Sequence, residues 1–186
     1  MTGATLLRSV VAALDESGVP FMLTGSLAAA FYGAGRATLD IDLVIDPNPV
    51  QLRSLVQRLE GQGAYVSQEA ADEALADRSM FNVVDTETGW KADLIVRKRR
   101  LYSETEFARR QVADFEGTRL YVATVEDVIL SKLEWAKLGN SARQLEDVSA
   151  LLRIHAGRLD SPYLERWVAA LEVGTQWQAV SLGGAL

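Results

Sequence analysis

The chain has 186 residues, 48% of them hydrophobic and 24% charged, an ordinary globular composition. It carries no cysteine and a single histidine, which argues against disulfides, zinc sites and Ser-His-Asp catalysis. A formal net charge of -6 argues against an extended nucleic-acid surface, and no apolar run approaches the ~20 residues that span a bilayer.

The length allows one domain, or a core with a small appendage. The first residues, Met1 to Asp15, carry Arg8 and end in charge rather than at a small-residue cleavage site, so no secretory leader is expected. With the absence of cysteine, this suits a cytoplasmic protein that does not enter a membrane.

Thr5 to Leu14 has apolar residues at helical spacing and is closed by Gly18 and Pro20. Phe21 to Leu23 reads as a short strand, and Gly25-Ser26 breaks it. Leu27 to Tyr32 reads as a short helix with Ser26 near its N-cap, closed by Gly33.

Thr38 to Asp46 alternates at period two. Leu39, Ile41, Leu43 and Ile45 fall on one face; Asp40, Asp42 and Asp46 fall on the other. Pro47 and Pro49 end this strand, and Val50 to Leu59 is an amphipathic helix. Ala64 to Val66 is a candidate short strand, and Glu69 to Asp77 an alanine-rich helix. Met80 to Val84 and Lys91 to Val96 read as strands joined by a turn at Thr88-Gly89. Leu120 to Ala123 is a strand or a linker. From Val125 the period becomes helical: Val125 to Leu138, Ala142 to His155 and Tyr163 to Leu171. The tail from Ser181 to Gly184 reads as loose. The whole is a mixed α/β (α+β) half followed by a helical half.

Asp40 and Asp42 project from one strand face with Cα atoms ~6.6 Å apart. Such carboxylates can converge on a pair of cations, and hard divalent cations favour oxygen ligands. An isolated Asp-x-Asp is more often a plain acidic face. Gly25-Ser26 follows a strand and opens a helix, where backbone N–H groups can approach phosphate. A third carboxylate, Asp93, stands inside the apolar run Ala92, Leu94, Ile95, where a charge is costly unless paired or metal-bound.

The segment Leu23-Thr24-Gly25-Ser26, a spacer of thirteen residues, Asp40-Ile41-Asp42-Leu43 and the later Ala92-Asp93-Leu94 together resemble the signature of the DNA-polymerase-beta-type nucleotidyltransferase superfamily. Thr24 departs from it, because an apolar residue usually precedes the glycine. Downstream, Glu126 to Ile129, Lys132, Arg143 and Glu146-Asp147 resemble the helices of minimal nucleotidyltransferases and abortive-infection-type nucleotidyltransferase toxins.

The resemblance implies a mixed-sheet nucleotidyltransferase core over residues 1–123 and a C-terminal helical region over 124–186 packed on it. It implies transfer of a nucleoside monophosphate from an NTP, ATP or another, to an acceptor hydroxyl. Asp40, Asp42 and Asp93 would be catalytic and hold two magnesium ions. Gly25, Ser26, Arg36 and Lys132 would bind the nucleotide, Lys132 reaching the triphosphate. The acceptor stays open between a tRNA or other RNA end, a protein side chain and a small antibiotic. The basic run Arg97 to Arg100, following the Asp93 strand, could guide a phosphate backbone or simply be solvated. The alternatives are an antitoxin or regulatory partner in a toxin–antitoxin pair, and a cation- or nucleotide-binding module without turnover. Arg143 and Asp147 are spaced for an i,i+4 pair. The tryptophans Trp90, Trp135, Trp167 and Trp177 read as core, and His155 as a surface or core residue.

Overall fold

A computed structural model of the protein describes residues 3–35, 38 and 40–181. Arg36, and the tail beyond residue 181, lie outside the described residues.

In chain order the elements are α1 (Gly3–Glu16), β1 (Phe21–Thr24), α2 (Gly25–Phe31), β2 (Asp40–Ile45), α3 (Pro49–Gly61), α4 (Gln68–Asp77), β3 (Met80–Val84), β4 (Lys91–Val96), α5 (Leu101–Arg109), β5 (Gln111–Phe115), β6 (Thr118–Val122), α6 (Val125–Gly139), α7 (Ala142–Ile154), α8 (Ser161–Ala170) and α9 (Gly174–Ser181). The strands form one mixed sheet in the order β3-β4-β2-β1-β6-β5. β2 runs parallel to β4, and β1 parallel to β6. The remaining neighbours are antiparallel.

Period-two patterning sorts the sheet's two faces. Ile41, Leu43 and Ile45 of β2 stand in register with Ala92, Leu94 and Val96 of β4, and all six are buried. α1, α3 and α4 pack on one another and cover this apolar face. Asn48 starts α3 with a capping box: its side chain accepts from the backbone of Val50 and Gln51, while the Gln51 side chain accepts from the Asn48 N–H. α2 and α6 lie on the other face, where the acidic residues emerge. From Val125 to Ser181 the regular elements are all helices, α6 to α9. Val128, Ile129, Leu130 and Leu133 of α6 are fully buried in the same apolar core as the sheet.

Several elements escape the sequence pattern. α5, β5 and α9 were not expected. β5 is an edge strand, paired only with β6 among the described residues and largely exposed, so burial imposes no apolar alternation on it. It turns into β6 through Glu116 and Gly117, both at positive φ, as a two-residue hairpin loop requires. Ala64 to Val66 contributes only one bridge, Tyr65 to Val84. The N-cap of α2 is Thr24 rather than Ser26, and its side chain makes no capping bond.

Candidate functional site

The register of four strands lays out a row of polar side chains on the face opposite the apolar core. Asn82 of β3 stands opposite Asp93 of β4, Asp93 opposite Asp42 of β2, and Asp42 opposite Thr24 of β1. One step toward the strand starts of β2 and β4, Asp40 stands opposite Lys91. Period-two geometry therefore gathers Asp40, Asp42 and Asp93 on adjacent strands and one face. Asp93 is buried; Asp40 and Asp42 are partly exposed.

The Gly25-Ser26 turn closes on the middle of this row. Gly25 has φ +65°, the left-handed region, and a Cβ there would overlap the Asp42 carboxylate. Glycine is thus required both for the backbone angle and for the close approach. The Ser26 backbone N–H donates to Asp42. Burial raises the Asp42 pKa first, and the Asp93 charge raises it further; the Ser26 N–H and the Lys132 charge oppose this only in part. Among the described residues, burial and like charge thus outweigh the support that Asp42 receives.

Lys91 and Asn82 occupy the other carboxylates. The Lys91 ammonium lies 3.2 Å from Asp93 Oδ2 and 3.4 Å from Asp40 Oδ1. The Asn82 amide donates to Asp93 Oδ1 at 2.5 Å. Burial alone would lower the Lys91 pKa, but the hydrogen bonds and charges of Asp93 and Asp40 outweigh it and raise the pKa. Among the described residues, no group of three acidic or histidine side chains is already disposed around a common ion position. The donor set nonetheless suits a hard cation: three carboxylates share one face, and an ammonium already bridges two of them.

Above the row, α6 supplies a wall. Thr24, Gly25, Ser26, Asp42 and Asp93 line one side of a cavity of about 240 Å³, and Ser131, Lys132, Trp135 and Gln144 line the other. A smaller cavity of about 80 Å³ adjoins it and shares Thr24, Ile95, Ser131 and Trp135; Lys98, Arg100, Glu106 and Glu134 extend its lining. Ser131, Lys132 and Trp135 are spaced to present one face of α6.

Lys132 lines the main cavity, but it is almost fully buried, and its ammonium donates to Asp147 at 2.7 Å and to Gln144 at 3.0 Å. Asp147 therefore reaches across to α6, where an i,i+4 contact with Arg143 was expected. Two members of the basic run are engaged internally. Arg97 pairs with Asp46 at 2.9 Å, and Arg100 makes a two-pronged pair with Glu134 at 2.7 and 2.6 Å. Lys98 and Arg99 are exposed. His155 packs edge-on against the Tyr32 ring, with Nε2 2.9 Å from the Tyr32 carbonyl.

Sequence reasoning missed Lys91, Asn82 and Trp135. Period two places Lys91 on the face of Asp93, but Asn82 shares its face with Met80 and Val84, and what either side chain meets follows only from the strand pairing. Trp135, expected in the core, is 49% exposed at the junction of the two cavities. Its i+3 spacing from Lys132 was the available clue.

No family profile matches the chain, and no curated protein matches it in sequence. Solved structures match it in shape. ANT(2")-Ia, solved in complex with adenylyl-2"-tobramycin, superposes with a TM-score of 0.59 at 18% identity, over 94% of this chain and 99% of that one. An antigenic nucleotidyltransferase-like protein from Paracoccidioides brasiliensis gives 0.56 at 14% identity, over 95% and 92%. The lincosamide antibiotic adenylyltransferase LnuA, lincomycin-bound, gives 0.54 at 13% identity, over 83% and 98%. The α/β fold of this chain is the one these nucleotidyltransferase-like proteins have, in keeping with the resemblance carried by Gly25-Ser26, Asp40-x-Asp42 and Asp93. Among the described residues, no helix is long and apolar enough to cross a membrane.

Proposed function

We propose that this chain transfers a nucleoside monophosphate from a nucleoside triphosphate to an acceptor hydroxyl, releasing pyrophosphate. One observation carries the reading: Asp42 and Asp93 stand in register on the floor of a cavity, with the Gly25-Ser26 turn pressed against Asp42. Asp40, Asp42 and Asp93 would hold magnesium, which neutralises triphosphate charge and stabilises the charge that develops at the reacting phosphorus.

Each protein group then has a part. The Gly25-Ser26 backbone at the start of α2 receives phosphate oxygens. Lys132, in the opposite wall, adds positive charge on the phosphate side. Asp93 accepts the acceptor hydroxyl proton at a carboxylate oxygen, which makes the attacking oxygen a better nucleophile. Trp135 offers an exposed aromatic face to the nucleobase or to an acceptor ring at the junction of the two cavities.

For the acceptor we infer a small hydroxyl-bearing molecule. The net charge of -6 disfavours an extended RNA surface, and Arg97 and Arg100 are tied to Asp46 and Glu134 rather than left for a phosphate backbone. Two of the fold's neighbours, ANT(2")-Ia and LnuA, are solved with an adenylylated antibiotic and an antibiotic respectively, which is consistent with this choice.

The test is incubation with each α-labelled NTP and magnesium, in parallel with an aminoglycoside and lincosamide panel, total tRNA, and cell lysate, with Asp42→Asn as control. Label on a small molecule, dependent on Asp42, is the expected result. Label on RNA or protein reassigns the acceptor. No pyrophosphate from any mixture, together with no magnesium-dependent nucleotide binding, overturns the reading.

A further inference from the structure

We propose that Lys91 is a built-in counter-ion of the carboxylate cradle: it bridges the acids in the metal-free protein and is exchanged for the divalent cation. This rests on the nucleotidyltransferase reading of the cradle.

The placement follows from the sheet. β2 and β4 run parallel, and their register sets Lys91 opposite Asp40 and two residues before Asp93 on the same face. The ammonium consequently sits between carboxylates of two neighbouring strands, 3.4 Å from Asp40 Oδ1 and 3.4 and 3.2 Å from the two Asp93 oxygens. That is the gap a shared cation would bridge.

Some cation is needed there. Asp40, Asp42 and Asp93 lie close together and partly out of water, and like charges so placed repel. Lys132, in the described lining of the cavity, is buried and already bonded to Asp147 and Gln144, so it is poorly suited to move in and out. Lys91 is different. Its side chain is 40% exposed, and its flexible stem can carry the charge into solvent.

Exchange is forced by size and sign. Magnesium draws its oxygen ligands to ~2.0–2.1 Å. An ammonium cannot remain between the same oxygens, and two cations in one cradle repel. Arrival of the divalent ion therefore expels Lys91.

The experiment uses the full chain and manganese as the probe, read by electron paramagnetic resonance of the free ion. Wild type, Lys91→Met, Lys91→Arg and Asp42→Asn are titrated. Removing a charge this close should tighten manganese binding roughly tenfold or more in Lys91→Met, while Lys91→Arg stays near wild type. In parallel, acylation of the Lys91 amine is followed by mass spectrometry in wild type. Saturating manganese should speed labelling at Lys91, and should not in Asp42→Asn. If Lys91→Met does not fold, the labelling of wild type and Asp42→Asn decides alone. Asp42-dependent manganese binding that is unchanged or weaker in Lys91→Met overturns the exchange and leaves the cradle standing. So does tighter binding without any change in Lys91 labelling, because the lysine would then act only as a fixed charge. No Asp42-dependent manganese binding in any of these proteins overturns both the exchange and the cradle.

Discussion

Asp42 and Asp93 stand opposite one another in the parallel register of β2 and β4, and after burial the Asp93 charge is the largest cause of the raised Asp42 pKa. A carboxyl whose folded pKa lies above its unfolded value near 3.8 stabilises the fold only while protonated. That contribution is complete below the unfolded value and is lost as pH rises through the folded one. As pH rises, then, the Asp42 carboxyl works increasingly against folding.

Asp42→Asn should therefore melt higher than wild type in metal-free buffer at pH 7, with the gap closing toward pH 4. A relief of about 1 kcal/mol corresponds to ~2–4 °C in a chain of this size. The same variant should lose most of the melting increment that magnesium and ATP together give wild type. Scanning calorimetry across that pH range, with and without both ligands, checks the pair of effects. A lower metal-free melting temperature would show that Asp42 is held by compensating contacts instead of being strained.

The close approach of Gly25 to Asp42 can be separated from its backbone angle. Gly25 and Gly63 both have positive φ, +65° and +83°, but a Cβ on Gly63 meets nothing within 4 Å. Gly63→Ala should lose only the backbone contribution, on the order of 1 kcal/mol. Gly25→Ala should lose clearly more and should abolish magnesium-dependent nucleotide binding, because its methyl group displaces the Asp42 carboxylate. Equal losses in urea unfolding, with nucleotide binding intact in both, would remove Gly25 from the site.

Much of this arrangement was legible in the residues. The alternation from Asp40 to Ile45 fixes both the strand and its acidic face, because a one-residue slip would bury the acids. Asp93 inside an apolar run was legible for the same reason. Its partners were not: Lys91 and Asn82 acquire meaning only from the pairing of β2, β3 and β4, which is non-local. The basic run read as solvated or phosphate-seeking because its acidic partners, Asp46 and Glu134, lie far away in sequence. α5 was missed because its buried stripe includes Ser103 and Glu106, polar residues that hide the helical period.

Glu106, in the lining of the smaller cavity, carries its own pH signature. Burial first, and then the Asp127 charge, raise its pKa from 4.5 to about 8, with Arg100 and Ser103 opposing. The stabilisation from its protonated form is complete below 4.5 and drains away as pH rises to about 8. Relative to Glu106→Gln, wild type should lose stability across that window, at a slope approaching about 1.4 kcal/mol per pH unit, and change little beyond it. Urea midpoints at several pH values in both proteins test this. Parallel curves from pH 5 to 9 would mean that Glu106 is ionised in the folded protein at neutral pH.

Lys132 poses a sharper question, because it belongs both to the cavity lining and to a buried ion pair. It lines the main cavity, yet it bonds Asp147 at 2.7 Å, and both side chains are buried. Removing one partner of a buried pair leaves the other charge without it, at a cost of about 3–5 kcal/mol, whereas replacing both with apolar groups is often nearly neutral. Lys132→Met should accordingly be strongly destabilised, and Lys132→Met with Asp147→Leu should recover most of the loss. Nucleotide binding then separates strut from phosphate ligand. A lysine acts on phosphate as a point charge, so its loss weakens ATP more than AMP. The folded double variant should bind ATP more weakly than wild type while binding AMP about as well, and added salt should narrow the gap if phosphate and ammonium meet in partly wet surroundings. Wild-type affinity for both nucleotides in the double variant would make Lys132 a strut between α6 and α7, and would leave the phosphates to the Gly25-Ser26 turn and the metal.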